Sequence, residues 1–188
     1  MKQLFALAAP FALLLGAQDS DPKQRARVVR DLGKQGAANP SEAIAALAPY
    51  ASDPDLTVRI EAVKSLVTIG GPRTVDPLVR AVADNDAEMQ IRATDGLVNV
   101  YLPGYVKTGL SGTISRAGNA VRAKFSASND QVIDAYVQVP AAVITALGKI
   151  ARGGSNMDAR ANAARGLGVL RGREAIPDLV EALRSKAD

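Results

Sequence analysis

The chain contains no cysteine and no histidine. Those two absences exclude zinc clusters of thiolates and imidazoles, thiol nucleophiles, disulfides and every triad that uses an imidazole base. Tryptophan is missing too, and only three phenylalanines and four tyrosines occur in 188 residues. So few aromatic side chains suit thin helical layers of Ala, Leu, Val and Ile better than a β-sandwich core. The net charge of +4 is too small by itself to make a phosphate-tracking surface.

What is present begins with MKQLFALAAPFALLLGAQ, in which Lys2 precedes an apolar run from Leu4 to Leu15 and the small residues Gly16 and Ala17 follow. That order is a secretory signal pattern, expected to occupy residues 1–18, with cleavage after Ala17 or Gln18. As a helix the run covers roughly 18 Å, short of the ~30 Å hydrocarbon core, so no stable membrane span is expected after cleavage. The expected location is periplasmic or secreted.

Beyond residue 22 the chain repeats itself. Residues 59–83 align without a gap on residues 160–184, matching Arg59 with Arg160, Ala62 with Ala163, Leu66 with Leu167, Gly71 with Gly172 and Leu78 with Leu179. Val58, Ala62, Leu66 and Ile69 step by four, four and three, which puts them on one helical face. Gly70, Gly71 and Pro72 stop that helix, and Val75, Leu78, Val79 and Val82 form the inner face of a second. Neither helix can bury its stripe alone, but stacked pairs bury their stripes together.

Weaker copies flank this unit. Asp53-Pro54-Asp55 and Asp84-Asn85-Asp86 precede successive units, where acidic residues cap a helix N-terminus. Met89, Ala93, Leu97 and Val100 keep the spacing of a third first-helix. Upstream, Arg25, Val29, Leu32 and Gly36 mirror Arg59, Val63, Leu66 and Gly70, while Ile44 and Leu47 stand where Val75 and Leu78 do.

The segments VRIEAVKSLVTIGG and ARANAARGLGVLRGREAIPDLVEAL resemble HEAT-type repeats, in the short variety shared with phycobilisome lyase relatives. The resemblance covers roughly residues 22–101 and 139–187. It implies an all-α fold, a right-handed α-solenoid of antiparallel helix pairs with one long insertion. Such families are mostly scaffolds that bind proteins or peptides; a minority assist chromophore attachment or bind nucleic acid. No catalytic residue and no cofactor is carried over. The repeat domain is expected over 22–188, and the chain end, where a further unit would begin, fits the N-terminal part of a longer solenoid.

The insertion, about 102–138, lies between the two helices of one repeat: one ends at Tyr101-Leu102-Pro103-Gly104 and the next resumes near Pro140. From Gly96 to Asn129 there is no acidic residue, whereas Lys107, Arg116, Arg122 and Lys124 are present. Ile114, Val121 and Phe125 share one helical face, Asn129-Asp130 suggests a turn or cap, and Val132, Ile133, Tyr136 and Val137 have a spacing compatible with helix. Two readings stand: a basic contact site for an anionic or extended partner, built from Tyr101, Tyr105, Lys107, Arg116, Arg122 and Lys124, or a lid that packs its apolar face on the stack.

Other constellations are weaker. Asp84, Asp86, Glu88 and Asp95 fall at calcium-loop spacing, but Met89 occupies the position that needs Gly, and helix capping explains the acids. Arg160, Arg165, Arg171 and Arg173 form a basic cluster, with Arg59 and Arg160 expected to bridge neighbouring repeats through carboxylates or carbonyls. ANAARGLG, rich in Ala and Gly, permits close helix contact. The expected function is a non-catalytic scaffold for a protein or peptide partner, with no nucleic acid involved. The alternative is a lyase-like or chromophore-assisting enzyme using Asp95, Asp130 or Asp134, though nothing pairs those carboxylates.

Overall fold

A computed structural model of the chain describes residues 21–105 and 132–184. Among them are eight α-helices: α1 (Pro22–Gln35), α2 (Pro40–Leu47), α3 (Leu56–Ile69), α4 (Val75–Val82), α5 (Ala87–Tyr101), α6 (Ala141–Gly153), α7 (Met157–Val169) and α8 (Ile176–Arg184). Short 3-10 turns at Pro72–Thr74 and Arg173–Ala175 join the two helices of a unit, α3 to α4 and α7 to α8, while one at Ala48–Ser52 follows α2 and leads to the next unit. No strand occurs among the described residues. The expectation of an all-helical chain therefore holds.

The helices start where the turn chemistry dictates. Asp21, Asp55, Asp86 and Asn156 are the N-caps of α1, α3, α5 and α7, each accepting backbone N–H groups of its first turn with its side chain. Gly70 and Gly71, at φ +65° and +82°, end α3 in backbone that a side chain would strain. Arg171 holds the place of Gly70 in the last unit and also has a positive φ, +54°.

First helices of successive units lie side by side in the order α1, α3, α5, α7, and the second helices pack beneath them, α4 against α5 and α6, and α6 against α7 and α8. The apolar stripes meet in one continuous core. Val58, Ala62, Leu66, Leu78, Met89, Ala93, Leu97, Leu147, Ala163 and Leu167 are all buried in it.

A polar ladder runs beside this core. The fourth residue of each first helix is Arg25, Arg59, Gln90 or Arg160. Arg25 donates from Nε and Nη2 to the two carboxylate oxygens of Asp53, at 2.8 and 2.9 Å, a bidentate pair buried between units. Burial alone would raise the Asp53 carboxyl, but Arg25 and the Asp55 N–H outweigh it and the pKa is lowered. Arg59 repeats the arrangement with Asp84 at 2.8 Å and also donates to the Asp53 and Pro54 carbonyls. Gln90 replaces arginine in the third unit; its Oε1 accepts from the Ser155 N–H and hydroxyl across the insertion, both at 2.9 Å. Arg160 donates to the Gly154 carbonyl at 2.9 Å. In each acid-x-acid turn the second aspartate caps the helix, while the first takes the arginine of the preceding unit.

One expectation is overturned. Residues 132–140 form irregular backbone with one turn rather than helix. Only Ile133 of the proposed stripe is buried; Val132 and Tyr136 are exposed. The Ile133 N–H pairs with the Val169 carbonyl at 3.0 Å, fixing the segment against the end of α7. Pro140 contributes, since it biases the residue before it away from helical backbone.

Candidate partner-binding site

The insertion leaves the stack at the end of α5. Pro103 and Gly104 follow the last turn, with Gly104 at φ +91° and its N–H donated to Asn99 Oδ1 at 3.1 Å. This turn folds the chain back so that Tyr105 lands on α7. The Arg165 guanidinium lies 5.1 Å from the Tyr105 ring centroid, and its Nη1 donates to the phenol oxygen at 2.8 Å. Behind them, at the α5–α7 interface, buried Asp95 accepts from Asn162 Nδ2 at 3.1 Å, and the same amide is 3.3 Å from the Ile91 carbonyl.

Burial, and then the Asp95 charge, push the Tyr105 phenol up to about 12 against the lowering influence of Arg165. Tyr101 is half-buried and raised by burial and by Asp76. Because the folded pKa of Tyr105 exceeds its unfolded value, the stabilisation is complete below about pH 10 and is lost as pH rises towards 12. Absorbance titration of phenolate at 295 nm should show one of the four tyrosines ionising last, near pH 12. Tyr105→Phe should remove that phase; persistence of the phase would contradict the placement.

Tyr101 is the last residue of α5, and Tyr105 follows four residues later against Arg165; both are partly buried at the root of the insertion. Lys107, Arg116, Arg122 and Lys124 lie outside the described residues, as do the Ile114, Val121 and Phe125 face, Asn129 and Asp130. The expected Arg cluster is divided: Arg160 belongs to the ladder and Arg165 to Tyr105. Arg171 and Arg173 line an open groove of about 430 Å³ between residues 135–139 and the α7–α8 turn, together with Gln138 and Glu174.

The acidic constellations resolve into structure. Asp84 is held by Arg59 and the Asp86 N–H, Asp86 caps Met89, and Asp95 faces Asn162, so the calcium-loop spacing does not converge on one point. Asp134 is exposed and accepts from the Tyr136 hydroxyl at 2.9 Å. Sequence reasoning missed Asn162 and the role of Arg165. Arg165, five residues after Arg160, matches Arg30 and Lys64 of the first two units, but those pair with Glu61, so the repeat did not mark a tyrosine contact.

Comparison with known families places two matches on this chain. A model described as HEAT repeats matches residues 10–98. A second, the PBS lyase HEAT-like repeat, matches residues 159–185. A search of curated proteins finds no match. No described helix is long and apolar enough to cross a membrane.

Proposed function

We propose that this chain, whose two family matches support a HEAT-like repeat family, is a non-catalytic scaffold. Its helix pairs run antiparallel and stack with a right-handed turn, and it binds a protein or peptide partner. The observation that carries this reading is the root of the insertion: Tyr105 is held on Arg165 just beyond Tyr101, where a basic, acid-free segment leaves an otherwise regular stack. A loop anchored on rigid helices is a common place for partners to be met. The segment contributes Lys107, Arg116, Arg122 and Lys124, a set suited to an anionic or extended partner.

Both ends of the insertion are anchored on α7. Tyr105 is held at Arg165 and Ile133 at Val169, four residues apart on α7 and so separated by roughly 6 Å of helix rise. About six Gly and Ser residues can close that gap. Replacing residues 106–131 in this way, while keeping Tyr105 and Ile133, should leave the melting curve unchanged and reduce capture of the partner from a cell-envelope extract. Lys107→Glu and Arg122→Glu should act in the same direction, more strongly at low salt, because screening shortens to ~8 Å at physiological ionic strength. Undiminished capture by the folded replacement variant would sink the contact-site reading, and a lowered melting temperature would identify a lid.

The same reading places the mature chain in the periplasm or outside the cell after loss of residues 1–18. Mass spectrometry of the protein from its native compartment should find an N-terminus at about Gln18 or Asp19. An intact Met1 in the cytoplasmic fraction would be the contrary result.

A further inference from the structure

Residues 75–83 and 176–184 occupy the same register of the repeat, yet their apolar faces differ in exposure. In α4, Val75 is 9% exposed and Val82 1%, beneath α5 and α6. In α8 the counterparts Ile176 and Leu183 are 54% and 73% exposed, and Val180 is exposed where Val79 is half-buried. Leu179 packs against the core. Among the described residues, α8 thus lacks the two neighbours that α4 has, the first and second helices of a following unit.

Two further ladders stop at this edge. Arg25 and Arg59 each hold the aspartate two residues ahead of the next N-cap, but the Arg160 guanidinium holds no carboxylate among the described residues. The twelfth residue of each first helix meets the tenth of the next. Gly33 leaves room for Ser65, Val67 fills the space over Gly96, and Val98 fills the space over Gly166. The twelfth residue of α7 is Gly168, and a Cβ there would meet nothing within 4 Å.

The opposite edge is polar. The positions of α1 that match Glu61, Ser65 and Ile69 are Arg27, Asp31 and Gln35, all exposed. A second copy stacked head to tail would set these groups against the apolar α8 edge, which is a poor match.

We infer that the α8 edge is a docking face for a helix pair of the same repeat chemistry on a partner protein. The pair is opened by an acid-x-acid turn whose first aspartate takes Arg160, and a small residue of its first helix sits over Gly168. Ile176, Val180 and Leu183 bury against its apolar stripe. Docking here is inferred independently of the contact site proposed for the insertion.

A tethered probe tests this without requiring an isolated unit to fold. A copy of residues 54–83 joined after Asp188 sets Asp188 as far beyond Arg160 as Asp53 lies beyond Arg25. The extended full-length chain should gain helical ellipticity, melt higher and bind less anilinonaphthalene sulfonate than the unextended chain. Arg160→Gln and Gly168→Leu should each remove most of that gain, the second by clashing with the copied Ser65, while leaving the unextended chain folded. Replacing residues 106–131 should leave the gain intact, which separates this surface from the contact site proposed above. A tethered copy that stays unfolded, or a gain indifferent to both substitutions, overturns the inference. So does a dimer of the unextended chain in sedimentation velocity that Leu183→Glu dissociates, because the face would then belong to a second copy.

Discussion

Leu66→Ala and Leu167→Ala should each lower the unfolding free energy by roughly 2–5 kcal/mol, the range for truncating a fully buried leucine without collapse of the site. The two side chains hold equivalent positions and are equally buried, at 0% and 1% exposure. Their surroundings differ. Leu66 lies between α1 and α5, with neighbours on both sides, whereas Leu167 lies in the unit whose outer edge is uncovered among the described residues. A unit with one free side can relax into the cavity, so Leu167→Ala should fall towards the lower end of the range. Urea unfolding followed by circular dichroism measures both. A near-neutral effect at either position would mean that the equivalence of the two units is wrong.

The leucines were legible in the sequence because the helical period and the repeat offset select the same residues. Val58, Ala62 and Leu66 step along the inward face, and the copy at Ala159, Ala163 and Leu167 is buried in the same way. Capping was legible for a local reason, since a side chain and the N–H groups it accepts from lie within one turn. The pairing of Arg25 with Asp53 was not. It joins residues far apart in the chain, and nothing nearby distinguishes the aspartate that caps from the one that takes a guanidinium. The segment at Val132, Ile133, Tyr136 and Val137 misled because apolar residues at helical spacing do not specify a helix when one backbone N–H has a better partner, here the Val169 carbonyl. The candidate site was half legible. Tyr101 and Tyr105 follow from where the repeat breaks, but Arg165 reaches Tyr105 only because α7 packs on α5.

The glycines of the first helices separate packing from propensity, because replacing each should raise helix propensity alike. At Gly96 a Cβ would come 2.5 Å from Val67 Cγ2 and 3.1 Å from Leu78 Cδ1, so the α3–α5 approach depends on the missing side chain. At Gly166 a Cβ would meet Val98 Cγ2 at 3.1 Å and Thr94 Cγ2 at 3.3 Å across the α5–α7 contact. Gly168, two residues on, has open space. A side chain larger than Ala forced into a packed interface costs about 1–3 kcal/mol, whereas relief of a helix-interior glycine contributes about 0.5–1 kcal/mol. Gly96→Val should therefore destabilise by about 1–3 kcal/mol, and Gly166→Val by less, since its neighbours are further off. Gly168→Ala should stabilise by up to about 1 kcal/mol. The expected order in urea midpoint is Gly168→Ala above the parent chain, then Gly166→Val, then Gly96→Val. If Gly96→Val and Gly168→Ala move the midpoint in the same direction, then backbone propensity rather than close helix approach governs these positions, and the stacking of α3, α5 and α7 described here is incorrect.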